Sequence, residues 1–158
     1  MSEDIYKTPD AELVSQSEGG EPEYAGFWIR VAASIVDNIL ISIIIFPLLF
    51  LIYGGGYLTD ESFYKGPADV FLNYLFPMIV IIAFWVYKSA TPGKMLVKTK
   101  IVDARTGGKP STWQFIGRYF GYIVSTLPLL LGLIWVAFDK RKQGWHDKLA
   151  KTVVIIVK

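Results

Sequence analysis

The sequence predicts a mainly α-helical, polytopic membrane protein with two full spanning helices, a third apolar segment and a small cytoplasmic β element. Two apolar runs carry this prediction: residues 31–53 include only four polar side chains, and residues 70–87 include only one. At about 1.5 Å per residue, both runs reach, or nearly reach, the roughly 30 Å thickness of a hydrocarbon core. The third apolar segment, residues 119–138, contains no charge. A soluble domain of 158 residues rarely contains three such runs.

Charge is distributed unevenly along the chain. Residues 1–23 hold seven acids and one lysine, a net charge of −6, whereas residues 88–158 hold thirteen lysines and arginines and three aspartates, a net charge of +10. Basic loops stay on the cytoplasmic side of a membrane, so we expect residues 88–118 and both termini to be cytoplasmic. Residues 1–23 lack apolar periodicity and predict a flexible acidic tail without a cleavable signal peptide.

Two paths are open for the third apolar segment. A single span would place the six basic residues after Phe138 outside the cell, which the positive-inside rule disfavours. Alternatively, Pro128 breaks the helix and the chain returns to the cytoplasmic side as a re-entrant hairpin. Residues 95–103 and 152–157 both have strand-like patterns, and each needs a ladder partner. The hairpin brings these strands to one side, where we expect them to pair.

The basic segment between the second and third apolar runs predicts contact with anionic lipid headgroups. Its lysines and arginines flank spanning helices, where each contributes about 1 kcal/mol of attraction to lipid, so they do not indicate nucleic-acid binding. Ser111 and Gln114 have the spacing of a capping box, which predicts a helix from Thr112. Residues 91–94, TPGK, lack the glycine spacing of a phosphate-binding loop, and we interpret them as a tight turn whose lysine reaches the membrane surface.

A polar stripe runs along one face of the first predicted helix. Arg30, Ser34 and Asp37 recur at positions i, i+4 and i+7, with Asn38 on the rim. Because a charged side chain deep in the bilayer costs about 2.5 to 3.5 kcal/mol on insertion scales, Asp37 needs a partner. Arg30 lies roughly 10 Å away along the helix axis, so we expect that partner on another helix. Asp37 is then either a structural group that ties helices together or a substrate or proton site.

Four more candidate site residues lie in the C-terminal part of the chain. A turn at Pro128 would bring Arg118 and Asp139 to the same depth, where a structural salt bridge is the simpler explanation. The adjacent His146 and Asp147 are weak evidence for a catalytic or metal site, and we expect them to be solvated or locally hydrogen-bonded. The sequence has no cysteine and shows no nucleophile–base pair or metal-ligand cluster. It therefore predicts no enzyme activity, no cofactor and no metal.

A series of short motifs occurs along the chain in a fixed order: Arg30, Ala33 and Asp37, then Thr91-Pro92-Gly93-Lys94, Ile101-Val102-Asp103, Phe138-Asp139, Gly144-Trp145-His146-Asp147 and Thr152-Val153-Val154. Together these motifs resemble the RDD family of prokaryotic membrane proteins over about residues 24–158. The resemblance implies that Arg30 and Asp37 match the family's arginine and first aspartate, and that either Asp139 or Asp147 matches the second. It also implies a location in the cytoplasmic (inner) membrane and a role in the transport of unidentified ligands, with sodium/proton exchange proposed for some members.

The leading functional expectation is a membrane protein that helps to move an ion or small solute. In this interpretation Asp37 is the protonatable or cation-binding group, and a monovalent cation or a proton is the ligand. About three membrane crossings are too few to enclose a pathway through the membrane, so we expect a homo-oligomer or a larger membrane partner. The alternative is a scaffold or assembly protein in which the charged residues only hold helices together.

Overall fold

Two long helices make up most of the apolar part of the molecule. The computed structural model describes residues 21–158, in which α1 spans Phe27–Tyr53 and α2 spans Pro67–Lys88. Both helices are long and apolar enough to cross a membrane. Only 11% of the positions in the apolar window of each helix are buried within the protein, so most of their apolar side chains are left for lipid. The two predicted spans are confirmed as helices of this length and composition.

Helix α2 contains a π-helical turn at Phe71–Leu75. Two residues after this turn lies Pro77, which cannot donate a backbone hydrogen bond and crowds the carbonyl group of the preceding turn. A local widening of the helix accommodates such a proline without ending the helix. Helix α2 ends at Lys88, and the next residue, Ser89, caps it with a left-handed backbone.

The connection between α1 and α2 is held by a small hydrogen-bonded cluster. Asp69 is buried and accepts hydrogen bonds from the Tyr57 hydroxyl at 2.7 Å and from the Asn73 side-chain amide at 2.7 Å. Gly66 adopts φ +131°, a conformation that other residues rarely adopt, and a Cβ there would lie 2.7 Å from the Tyr53 hydroxyl oxygen. The glycine therefore lets the loop pass close to the end of α1.

Residues 91–94 do not form a simple tight turn. Pro92–Leu96 forms the short helix α3, and the Thr91 side chain caps it by accepting a hydrogen bond from the Lys94 backbone N–H. Our interpretation of Lys94 as a surface lysine is also wrong, because its side chain is 5% exposed. Helix α3 packs against α1, and this contact encloses the lysine.

The third apolar segment is bent. Helix α4 spans Thr112–Thr126, helix α5 spans Leu131–Phe138, and the two meet at an angle of 100°. The predicted break at Pro128 is thus confirmed, and so is the capping box that starts α4: the Ser111 hydroxyl accepts from Gln114 N–H, and the Gln114 side chain accepts from Ser111 N–H. The bent pair could also be a single broken span, by length and composition.

The predicted strand pairing is confirmed. Strand β1, Thr99–Asp103, runs antiparallel to β2, Thr152–Ile156, with Ile101 opposite Val154. Both ends of the bent pair adjoin this sheet: the Gln114 side chain at the start of α4 donates to Asp103, and the Arg141 side chain after α5 donates to the Ala104 carbonyl. The segment therefore enters and leaves at the same end of the molecule, as the hairpin path requires.

The chain before α1 also reaches the sheet. Ala25 N–H donates to the Val154 carbonyl at 2.9 Å, and Ile156 N–H donates to the Glu23 carbonyl at 2.8 Å. The short helix α6, Trp145–Ala150, precedes β2. The flexible tail predicted for residues 1–23 lies outside the described residues, apart from its last three positions.

A hydrophobic core lies where the helices meet the sheet. Its fully buried members come from the chain just before α1, the end of α2, both strands and α4: Ala25, Trp85, Ile101, Phe115 and Val154. This core anchors the helix ends that carry the candidate site residues.

Candidate functional site

A buried carboxylate, Asp147, lies between two arginines from different helices. Its Oδ2 atom is 2.5 Å from Nη1 of Arg30 on α1, and its Oδ1 atom accepts from Nη1 of Arg118 on α4. Its Oδ2 atom also accepts from Gly144 N–H at 2.9 Å. Although burial alone would raise it, the Arg118 and Arg30 guanidinium groups hold the pKa of Asp147 well below its usual value. We call Arg30, Arg118 and Asp147 the arginine–aspartate cluster.

Arg118 is completely buried, which is unusual for an arginine. Besides Asp147, its Nη1 atom donates to the Thr152 hydroxyl at 2.8 Å, which connects α4 to β2. Its guanidinium group also lies 5.5 Å and 5.7 Å from the ring centres of Trp85 and Tyr122. These aromatic faces stabilise a cation that water cannot reach.

Arg30 ties the start of α1 to the C-terminal segment. Its Nε atom donates to the Ala25 carbonyl at 3.0 Å, and its Nη2 atom donates to the Lys142 carbonyl at 2.5 Å. Together with the Asp147 contact, these bonds use three nitrogens of one guanidinium group. Arg30 does not pair with Asp37, which agrees with the long separation expected along the helix.

His146 is buried next to the cluster, so of our two expectations for His146 and Asp147, solvation is wrong, whereas local hydrogen bonding is found for Asp147, which accepts from Gly144 N–H. Its ring stacks on Tyr122 at 3.9 Å between centres, and its backbone N–H donates to the Ser125 hydroxyl at 3.0 Å. Burial lowers the pKa of His146 to about 3, so the imidazole is neutral at pH 7. Nδ1 lies 3.3 Å from the Ser125 hydroxyl and Nε2 lies 3.5 Å from Asp147, in the order of a charge relay. We interpret these contacts among Ser125, His146 and Asp147 as packing. The Ser125 hydroxyl is fully buried, and both carboxylate oxygens of Asp147 already bind arginines.

Asp37 has partners on another helix, as its position inside an apolar run requires. Its Oδ2 atom accepts from the Thr91 hydroxyl at 2.5 Å, and its Oδ1 atom accepts from Gly93 N–H at 2.7 Å. A Cβ at Gly93 would lie 2.0 Å from the Ala33 carbonyl oxygen and 2.9 Å from the Asp37 carboxyl carbon. Only glycine allows α3 to approach α1 closely enough for these bonds.

A polar cleft opens beside Asp37, between α1, α2 and α4. It has a volume of about 400 Å³. An apolar groove of about 290 Å³ lies on the other side of Asp37, between α1 and α2. The polar side chains that line the cleft include Ser34, Asp37, Asn38, Thr91, Lys94 and Tyr122.

Lys94 is the charged residue that sequence reasoning missed as a site residue. Within residues 21–158 its ammonium group forms no ion pair and donates to no acceptor, while its backbone atoms bond to Thr91 and Thr99. Burial lowers the pKa of Lys94 below its usual value. The TPGK motif contained a signal for this site, because Thr91 and Gly93 are the groups that bind Asp37 and so draw Lys94 inward.

The predicted pair between Arg118 and Asp139 is wrong. Asp139 instead pairs with Lys148 at 2.6 Å, in a partly exposed position. Asp147 takes Arg118 because α6 packs against α4 and carries the carboxylate into the interior. Of the predicted residues, Ser34, Asp37 and Asn38 line the cleft, and Arg30, Arg118, His146 and Asp147 meet in the buried interior.

Within the part of the chain that the structure describes, no group of three or more histidine, cysteine or acidic side chains is arranged to hold a metal ion. The arginine–aspartate cluster is largely closed to solvent, whereas the polar cleft is open.

Comparison of the sequence with known proteins identifies the family of the chain. The RDD family model matches residues 24–151. The chain is 34% identical over 147 residues to the uncharacterized protein YxaI of Bacillus subtilis (strain 168), covering 83% of this chain and 96% of that protein. It is 30% identical over 165 residues to the uncharacterized membrane protein YteJ of the same organism, covering 96% of this chain and 89% of that protein.

A shorter match involves a protein from another organism. The chain is 42% identical over 83 residues to the uncharacterized protein RP437 of Rickettsia prowazekii (strain Madrid E), covering 52% of this chain and 46% of that protein. No solved structure shows a significant match. Since the family model covers most of the chain, both apolar helices and the cluster that joins them, the protein is a membrane protein of the RDD family.

Proposed function

We propose that this protein takes part in moving an ion or a small solute across the prokaryotic cytoplasmic membrane, and that the polar cleft holds this ligand. One observation carries the proposal: Asp37 and Lys94, two charged side chains, line a cleft between helices that are apolar on their other faces. Intramembrane charges are costly and commonly mark ligand pathways. Asp37 is our candidate for the group that binds a proton or contacts the ligand.

The cleft alone does not form a pathway across the membrane. Two long helices and one bent helix pair are too few to enclose such a pathway, so the proposal includes self-association or a larger membrane partner. The exposed apolar side chains of α1 and α2 offer surface for either lipid or a second copy.

A scaffold role is the rival proposal, and the arginine–aspartate cluster favours it. That cluster ties α1, α4 and α6 together with both carboxylate oxygens occupied and little exposed surface. In this case Asp37 would only hold α3 against α1, through its bonds to Thr91 and Gly93, and would bind no ligand.

Flux measurements in proteoliposomes, across a panel of monovalent cations, protons and inorganic phosphate, test the two roles. We expect flux with the native protein, and its loss in Asp37→Asn while folding and oligomer size persist. Because Asn also loses one of the two hydrogen bonds, Thr91→Val serves as a matched variant that removes one bond but keeps the carboxylate. Asp60→Asn, on the exposed connection, controls for loss of charge.

The outcomes separate the proposals. Transport predicts that Thr91→Val retains ion-dependent behaviour that Asp37→Asn loses. If neither the native protein nor any variant supports flux, and both substitutions lower stability alike, transport is refuted and the scaffold role stands.

A further inference from the structure

The charges in and next to the polar cleft do not balance. Lys94 and Asp37 line the cleft. Arg118, which lies beside the lining rings of Trp85 and Tyr122, joins Arg30 and Asp147 in the arginine–aspartate cluster, so three cations accompany two carboxylates. His146 is neutral, so the group retains one excess positive charge while Lys94 is protonated. An uncompensated charge in a poorly solvated site is costly. Either an anion balances it or Lys94 loses its proton.

Hydrogen-bond donors without acceptors adjoin the same place. Trp85 lines the cleft, and its indole N–H is buried and has no partner within residues 21–158. The Nε–H group of Arg118, which stacks near Trp85, is also buried and unpaired. Native proteins leave few buried donors unsatisfied, so each one needs an explanation. These unpaired donors and the excess positive charge make the surroundings of the cleft electropositive, which favours a ligand rich in acceptors.

Lys94 is the group best placed to meet such a ligand. Its side chain is 95% buried yet lines the cleft, and its ammonium group has no partner among the described residues. A lysine ammonium binds phosphate as a point charge with three donors. The hydroxyls of Ser34, Tyr119 and Tyr122 line the same cleft and can donate to further oxygens.

We infer that the polar cleft binds an oxyanion of the phosphate or carboxylate type, with the Lys94 ammonium group as its counter-charge. The inference rests on the cleft that the proposed function uses, and it names the chemical class of the ligand. The same oxyanion chemistry is found in small soluble solutes and in acidic lipid headgroups. The apolar groove on the other side of Asp37 shares Ile41 and Ile81 with the cleft, which provides a surface for an acyl chain in the lipid case.

Binding to purified protein in a neutral detergent tests this inference without requiring flux. The first probe is inorganic phosphate, titrated at constant ionic strength against chloride while the melting temperature is recorded. The second probe is phosphatidylglycerol in mixed micelles, compared with phosphatidylcholine. We expect saturable stabilisation by at least one anionic probe. Stabilisation by inorganic phosphate indicates a soluble oxyanion, and stabilisation by phosphatidylglycerol alone indicates a lipid headgroup.

A matched pair of lysine variants locates the site. Lys94→Met should weaken binding by at least about tenfold, because it removes a charge-assisted hydrogen bond. Lys100→Met, which removes an exposed lysine from β1, should leave binding unchanged. If both variants lose binding equally, the anion binds the basic surface and the inference is refuted.

The native protein keeps the test decisive even if Lys94→Met does not fold. Absence of saturable stabilisation by either probe in the native protein refutes the inference, and Lys94→Arg, which keeps the charge, should retain at least part of the binding. Anion binding without flux would leave this inference standing and remove the transport proposal. Flux without anion binding would leave the transport proposal standing and refute this inference.

Discussion

At the scale of single residues, Asp147 is a fully buried carboxylate whose charge is balanced by two arginines. It neutralises Arg118, which is fully buried, and Arg30, whose side chain is 11% exposed, so removing its charge leaves at least one buried cation unpaired. Breaking a buried ion pair by removing one partner costs about 3 to 5 kcal/mol. We expect Asp147→Asn to lower the free energy of unfolding in detergent by about this amount.

The control for that prediction is Asp139→Asn. Asp139 pairs with the partly exposed Lys148, and such pairs contribute about 1 kcal/mol or less. Equal losses for Asp147→Asn and Asp139→Asn in denaturant unfolding would contradict the structural role that we assign to the arginine–aspartate cluster.

His146 provides a prediction about pH, since it is the single histidine of the chain. Its pKa is about 3 in the folded protein and about 6.5 in an unfolded chain. Between these values the unfolded state binds one more proton than the folded state, so stability falls as pH falls through this range. From pH 7 to pH 5 the loss should be about 2 kcal/mol.

The measurement compares native protein with His146→Phe, which keeps a ring against Tyr122 but cannot titrate. Only the difference in stability between pH 7 and pH 5 matters, whatever the absolute stability of the variant. An unchanged pH dependence in His146→Phe would show that another group is responsible.

At the scale of elements, the contact between α3 and α1 depends on Gly93. Because a Cβ at this position would lie 2.0 Å from a backbone oxygen of α1, Gly93→Ala must push α3 away and break the bonds to Asp37. Such overpacking costs about 1 to 3 kcal/mol, and we expect a loss in this range or above. The measurement is denaturant unfolding in detergent.

Gly117, inside α4, is the matched control. Nothing lies within 4 Å of a Cβ built there, so Gly117→Ala should stabilise the protein by about 0.5 to 1 kcal/mol through helix propensity. Destabilisation by Gly117→Ala of the same size as by Gly93→Ala would indicate that α4 packs against a surface absent from the isolated chain.

At the scale of the whole molecule, the sheet provides a test of the topology. Strand β2 pairs with β1, so the C-terminal segment and the segment after α2 lie at one end of the molecule. We expect residues 88–118 to be cytoplasmic, and therefore Lys158 on the cytoplasmic side as well. Since the chain has no cysteine, single cysteines can report the side directly.

We expect Glu61→Cys, between α1 and α2, to react with a membrane-impermeant thiol reagent in intact cells. Lys109→Cys and Lys158→Cys should react only after lysis. Labelling of Lys158→Cys in intact cells would refute the hairpin path and leave the third apolar segment as a broken span.

The sequence by itself determined the elements whose physical cause is local. Hydrophobic run length predicts α1 and α2, the spacing of Ser111 and Gln114 predicts the start of α4, and Pro128 predicts the break, because these depend on neighbours along the chain. The pairing of β1 with β2 also followed from pattern, since each strand lacked a local partner. Only the tertiary structure decided which charges meet: Arg118 takes Asp147 and not Asp139 because α6 packs against α4. It also decided that Lys94 is buried, because Asp37 draws α3 against α1 through Thr91 and Gly93, a contact between residues more than fifty positions apart.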